Sequence, residues 1–261
     1  MEVHATTNVT SRADETIQGR VDNLIEKFSG LFSDKVGHLK GNVGRLHLEE
    51  NATPKFCKAR NVPYSIRPAV ELELERLEND NIITPVPFSD WATPVVPIIK
   101  VDKSVRLCGD YSITLNLVLR PDKHPMPRIE DVFAKLAAGE KFTKLNLKNA
   151  YLHLEMDDKS KDLLTINTYK GLYRVNRLQY GLKPATGMWQ RLMEQVLQGI
   201  PGIECILDDI TMTEANDDEH LTRLEKVFIR LSEHGLVLNA KKCKLLQPSV
   251  AFMSHLIDRD G

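Results

Sequence analysis

Two adjacent carboxylates, Asp208 and Asp209, interrupt a run of apolar residues: Ile203, Ile206 and Leu207 precede them, and Ile210 and Met212 follow. This pattern predicts two short strands, at 204–207 and 210–213, joined by an Asp-Asp turn. Like charges side by side are expensive to bury, because each needs a counter-ion. Aspartate is also common in ordinary surface turns, so the pair alone leaves two readings open. The apolar flanks make this a core-facing hairpin, which tilts the balance toward a bound cation. Magnesium suits such a turn, being a hard ion held by one or two carboxylates together with substrate phosphates.

An isolated hairpin is barely stable, so the surrounding sequence must supply its cover. Residues 1–15 are polar and expected to be loose. From Ile17, the residues Val21, Leu24, Ile25 and Phe28 recur at helical spacing. Residues 29–61 show no sustained period and read as a connector. Pro68 starts a second helix at its favoured first position, with Val70, Leu74 and Leu77 on one face. Pro85, Pro87, Pro94 and Pro97 then confine any strands to short pieces. Strands are expected at 95–100 and 105–110 around a turn at Asp102-Lys103, at 141–147, and at 164–168 and 172–177 around Lys170-Gly171. Pro127 opens a helix with Ile129, Val132, Phe133 and Leu136 inward. A helix over 185–198 carries Met188, Leu192 and Val196, and Gly199 with Pro201-Gly202 ends it. Leu221, Leu224, Val227, Phe228 and Leu231 mark a long helix capped by Gly235. An apolar hairpin at 250–257 comes last. The alternation of strands and helices favours a mixed sheet with helices packed on it.

Composition narrows the class. The formal net charge of −1 counts against a nucleic-acid partner as a first guess, since phosphate-binding domains usually carry a basic surplus. Charge is segregated, however: Lys170, Arg174, Arg177, Lys183 and Arg191 form one group, and Lys241, Lys242 and Lys244 another. Both groups read equally well as solvated faces. No run approaches the ~20 apolar residues that cross a bilayer. The start, Met1-Glu2-Val3-His4, has no secretory pattern. Cys57, Cys108, Cys205 and Cys243 are scattered and read as reduced thiols of an intracellular protein, cytoplasmic or nuclear.

Several segments carry a family resemblance. Ile206-Leu207-Asp208-Asp209 resembles the Tyr-x-Asp-Asp turn of reverse transcriptases. Trp91-Ala92-Thr93-Pro94-Val95-Val96-Pro97 and Val105-Arg106-Leu107-Cys108-Gly109-Asp110-Tyr111 resemble the fingers strands. Lys141-Phe142-Thr143-Lys144-Leu145-Asn146-Leu147-Lys148-Asn149-Ala150-Tyr151 resembles the first palm motif. Leu178-Gln179-Tyr180-Gly181-Leu182 leads into the template-positioning helix, which includes Trp189-Gln190. Phe252-Met253-Ser254-His255 resembles the primer grip. Their order is similar to that in the Pol polyprotein of gypsy-type LTR retrotransposons.

The resemblance implies an α+β fold, right-hand polymerase fingers and palm over 61–261, with an antiparallel or mixed palm sheet and helices on one face. A spacer with one amphipathic helix would occupy 1–60, and thumb and ribonuclease H would follow in the family beyond this sequence. It implies RNA-directed DNA synthesis on an RNA or DNA template with a primer and a deoxynucleoside triphosphate. Two Mg²⁺ or Mn²⁺ ions would activate the primer hydroxyl and steady the pyrophosphate. Asp208 and Asp209 match two of the three metal-holding carboxylates. The third position falls on Asn146, which keeps an oxygen but loses the charge, so a weakened two-ion site and impaired polymerisation are expected. Lys100 and Arg106 match residues that grip the triphosphate, with an exposed ion pair as the bland alternative. Tyr151 matches the aromatic gate under the sugar, with core packing as its alternative. Gln190 matches a glutamine near the template, with capping or surface exposure as its alternative.

Other departures accumulate. Ile206 stands where the family has tyrosine, Thr186 where it has proline, and Ser254 where the grip has glycine. A Cβ at Ser254 would strain a turn that needs positive φ. Together they suggest a degenerate copy. A second class stays in view, a non-catalytic nucleic-acid- or protein-binding module that keeps the fold. Magnesium binding through Asp208 and Asp209 separates the two.

Overall fold

The computed structural model describes residues 16–136, 139–253 and 255–259. Ser254 therefore lies outside the described residues, as do 1–15. Helix α1 (Ile17–Lys27) starts where the Thr16 hydroxyl accepts the Gly19 N–H. Helix α2 (Arg67–Asn79) carries Pro68 in its first turn and buries Val70, Leu74 and Leu77, the expected stripe. Helices α3 (Ile129–Leu136), α4 (Asp158–Leu163) and α5 (Ala185–Leu197) follow, then the long α6 (Asp217–Glu233). The Asn216 side chain caps α6, and three acidic residues fill its first turn, where the helix dipole favours them.

The strands form three sheets among the described residues. The first sheet is mixed, in the order β1 (Ile83–Val86), β6 (Gly171–Val175), β5 (Ile166–Thr168), β2 (Thr93–Ile99), β3 (Val105–Gly109). Sequence reading missed β1 because Pro85 lies inside it; its place at the sheet edge makes the missing N–H harmless. Pro97 is tolerated for a related reason. Strand β2 pairs with β5 only at Thr93 and Pro94, and beyond them it pairs with β3 alone.

The second sheet is antiparallel, ordered β7 (Ile203–Ile206), β8 (Asp209–Glu214), β4 (Lys141–Asn146), β9 (Lys244–Gln247). Its central strand β4 is covered on both faces. Thr143 meets His220 of α6 on one side, while Phe142 packs with Phe252 and Val250 of the β10 (Ser249–Phe252) and β11 (His255–Asp258) hairpin on the other.

Residues 29–61 have no long element, yet they are anchored. Leu31, Leu39 and Leu46 are buried in the main core, and the Leu39 N–H donates to the His153 carbonyl at 2.8 Å. The segment crosses the end of α6 at Gly235, whose carbonyl accepts the His38 N–H at 3.0 Å. Gly235 adopts φ 71, and a Cβ there would overlap the His38 carbonyl oxygen. Gly235→Ala therefore combines left-handed strain with a backbone clash and is expected to cost about 2 kcal/mol or more. A drop in the urea midpoint at unchanged m-value measures it; an unchanged midpoint contradicts the close approach.

Candidate active site

Strands β4 and β8 pair so that Asn146 lies opposite Asp209, and the turn after β7 places Asp208 beside both. The Asn146 Nδ2 group donates to Asp208 Oδ2 at 3.1 Å and to Asp209 Oδ1 at 2.8 Å. Asn146 is only 5% exposed, so these bonds form with little competing water. Lys144 lies two residues earlier and therefore on the same strand face. Its ammonium sits 2.8 Å from Asp209 Oδ2 and donates to the Ala251 carbonyl at 3.2 Å. Two negative charges thus meet one ammonium and one amide. Sequence reasoning missed Lys144, although the period-two alternation with Asn146 was available to find it.

The turn itself is held from behind by α5. Leu207 adopts φ 56, in the left-handed region that β-turn geometry demands but a leucine disfavours. The Trp189 indole N–H donates to its carbonyl at 3.0 Å, and the Gln190 side-chain oxygen accepts its N–H at 2.9 Å. Gln190 also donates to the Cys205 carbonyl at 2.7 Å and to Glu194 at 2.9 Å. It is fully buried. Its amide is spent on the hairpin backbone and on Glu194.

In front of the carboxylates opens a cleft of about 520 Å³ lined by Lys144, Asn146, Asp208, Asp209, Lys242 and Lys244, among others. Lys242 and Lys244 are exposed and make no ion pair among the described residues, so one of the two basic groups faces this cleft. The other is largely neutralised: Lys170 pairs with Glu71, Arg174 with Asp158 and Asp162, and Arg191 with Asp122.

Tyr151 is 7% exposed and stacks at a tilt on Tyr180, ring centroids 4.5 Å apart, with Trp189 edge-on at 6.0 Å. Burial raises its phenol above the ordinary value, and the Asp208 charge adds to this against a hydrogen bond from Thr186. Tyr180 is partly exposed. Burial of its ring lifts its phenol, with the Asp208 charge raising and the Arg106 charge lowering it. The same residue thus feels both Asp208 and Arg106 of β3. Arg106 and Lys100, on and just beyond the β2–β3 hairpin, line a cavity of about 180 Å³ with Tyr180, Gln179 and Asn149. Both are exposed without an ion pair among the described residues, so the salt-bridge alternative is not met.

The grip-like hairpin β10–β11 buries Phe252 to 1% exposure against Val132, Leu136 and Phe142. Met253 takes φ 48 at its turn, so a left-handed residue precedes Ser254. His255 bonds the Met253 carbonyl through Nδ1 at 2.9 Å and stands edge-on to Phe133 at 5.0 Å.

No group of three or more His, Cys, Asp or Glu side chains gathers as a metal site among the described residues. The donors at the hairpin are two carboxylates and an amide. That set fits one magnesium completed by water and phosphate oxygens, and it is one charge short of the set expected for two. All four cysteines are free thiols, with Cys205 buried. No described helix is long and apolar enough to cross a membrane.

Comparison with known proteins specifies the family. Residues 98–257 match the family described as reverse transcriptase (RNA-dependent DNA polymerase). An uncharacterized protein of Caenorhabditis elegans is 35% identical over 95% of this chain and 20% of its own length. The retrovirus-related Pol polyproteins from the Drosophila melanogaster transposons 297 and 412 are 29% and 27% identical over 93% and 92% of the chain. The chain spans about a fifth to a quarter of the length of these relatives (20%, 24% and 20%). A foamy viral protease–reverse transcriptase in complex with double-stranded DNA superposes with a TM-score of 0.87, covering 96% of this chain and 44% of that one at 21% identity. The chain belongs to the reverse transcriptase family, as a domain of the kind found in retrotransposon Pol polyproteins. The α+β fingers-and-palm architecture expected from the sequence is the one present.

Proposed function

We propose that this chain is the fingers and palm, over 61–261, of a gypsy-type retroelement reverse transcriptase, with Asp208 and Asp209 as its metal-holding carboxylates. The observation that carries this reading is their placement beside Asn146 on adjacent strands, at the mouth of a lysine-lined cleft. A divalent ion bound there supplies Lewis-acid stabilisation of the phosphoryl oxygens and a more acidic primer hydroxyl. The chain's own residues do the rest. Asp208 and Asp209 supply charge, and Asn146 offers at most an amide oxygen after rotating its amide. Arg106 and Lys100 are free to meet a triphosphate from the fingers side, where a planar guanidinium suits phosphate. Tyr151 and Tyr180 form an aromatic floor between the two. The lysines of the cleft and the β10–β11 hairpin would hold the primer–template backbone. With Asn146 in the third position, polymerisation is weakened.

One observation favours the second reading, a binding module without catalysis: Asn146 and Lys144 already satisfy both carboxylates. Calorimetric titration with Mg²⁺ discriminates. The catalytic reading expects saturable binding that disappears in the Asp208→Asn, Asp209→Asn double variant. Tight primer–template binding with no Mg²⁺ signal in the unmodified chain would favour the binding module instead.

A further inference from the structure

Leu207 has both backbone polar groups satisfied by two consecutive side chains of another element. Trp189 donates to its carbonyl at 3.0 Å and Gln190 accepts its N–H at 2.9 Å. Gln190 also binds the Cys205 carbonyl at 2.7 Å, so it grips the strand entering the turn as well as the turn. Both side chains are fully buried, and a core-filling role alone would need neither the indole N–H nor the amide. Leu207 lies in the left-handed region, where a non-glycine residue persists only when its surroundings over-determine it. The very next residue is Asp208. Trp189 is itself fixed, edge-on to Tyr151 and stacked on His153 at 6.1 Å.

We propose that Trp189 and Gln190 are positioning residues: they clamp Leu207 in its left-handed conformation and so aim the Asp208-Asp209 pair into the cleft. The consequence for metal binding rests on the functional reading above, whereas the clamp itself does not. Supporting groups of this kind set ligand geometry without touching the ligand.

Gln190→Met keeps the volume and removes all of the amide's bonds. Trp189→Phe keeps an aromatic ring and removes one donor. Val196→Ala, buried on the same helix away from the turn, controls for lost stability. Hydrogen exchange of the Leu207 amide is expected to quicken about tenfold or more in Gln190→Met relative to Val196→Ala, with a smaller change in Trp189→Phe. Mg²⁺ affinity, read by calorimetry, is expected to fall about tenfold in Gln190→Met and to stay within about twofold in Val196→Ala. Equal Leu207 exchange in Gln190→Met and Val196→Ala overturns the clamp. Faster exchange with unchanged Mg²⁺ affinity overturns its role in aiming the carboxylates. If the unmodified chain binds no Mg²⁺, the functional reading fails, and the exchange comparison still decides the clamp.

Discussion

Acidification from pH 7 to pH 4.5 is expected to remove about 2 kcal/mol of folding stability through His153 alone. His153 is fully buried, with Nδ1–H donating to the Ala150 carbonyl at 2.9 Å and Nε2 accepting the Val237 N–H at 3.2 Å. A second proton would need a place that the Val237 N–H already occupies. Burial lowers its pKa to about 4 from an ordinary 6.5, helped by the Arg177 and His38 charges against the Ala150 hydrogen bond. Because the folded pKa is depressed, the unfolded chain takes up a proton that the native state refuses between these values. The contribution is complete above pH 6.5 and is lost as the pH falls toward 4. His220, bonded to Thr143 at 2.7 Å and lowered by burial to about 4, acts in the same direction. Urea midpoints across this range measure the effect. His153→Gln should be less stable at pH 7 but show a shallower pH slope; an unchanged slope would contradict the assignment.

Asn146→Asp has the second large effect, and its sign depends on the metal. Without a divalent ion the new carboxylate would face Asp208 and Asp209, where the amide now donates at 3.1 and 2.8 Å, and the Lys144 ammonium is already paired with Asp209. Two charge-assisted bonds are lost and a nearly buried charge is added, which together cost about 3 kcal/mol or more. For a chain of this size that lowers the melting temperature by roughly 6–12 °C. Added Mg²⁺ should restore the loss, because three carboxylates bind a divalent ion more tightly than two with an amide. Thermal melts in chelator and in Mg²⁺ check both halves. A variant as stable as the unmodified chain in chelator would mean that the amide bonds to the carboxylates are not formed.

Much of this architecture could be read in the sequence, for identifiable reasons. The helical stripes of α2 and α6 are local periodic signals, and the structure keeps them, whereas the expected Asp-Asp turn falls one residue earlier, at Leu207-Asp208, with Asp209 opening β8. Strand β1 was hidden by Pro85, because sheet-edge position is a tertiary fact that proline alone does not reveal. The connector at 29–61 carries no period, yet it is held by backbone bonds to His153 and Gly235, partners more than 100 residues away. At the site, Asp208, Asp209 and Asn146 were legible as types at matching motif positions. The roles of Lys144 and Gln190 were not, since they depend on which atoms the register and the α5 packing bring within 3 Å. Gln190 shows the limit: residue type gave no sign that its buried amide would bond the turn.

Primer extension on an RNA template tests the central claim most directly, comparing the unmodified chain, Asn146→Asp and Asn146→Asp combined with Asp209→Asn, each in Mg²⁺. A charge that stabilises the transition state is worth several kcal/mol, so Asn146→Asp is expected to extend the primer about 100-fold faster or more. The double variant should fall back to the level of the unmodified chain or below it. Equal, robust extension by the unmodified chain and by Asn146→Asp would contradict the account, because Asn146 could then not be what limits the site built around Asp208 and Asp209.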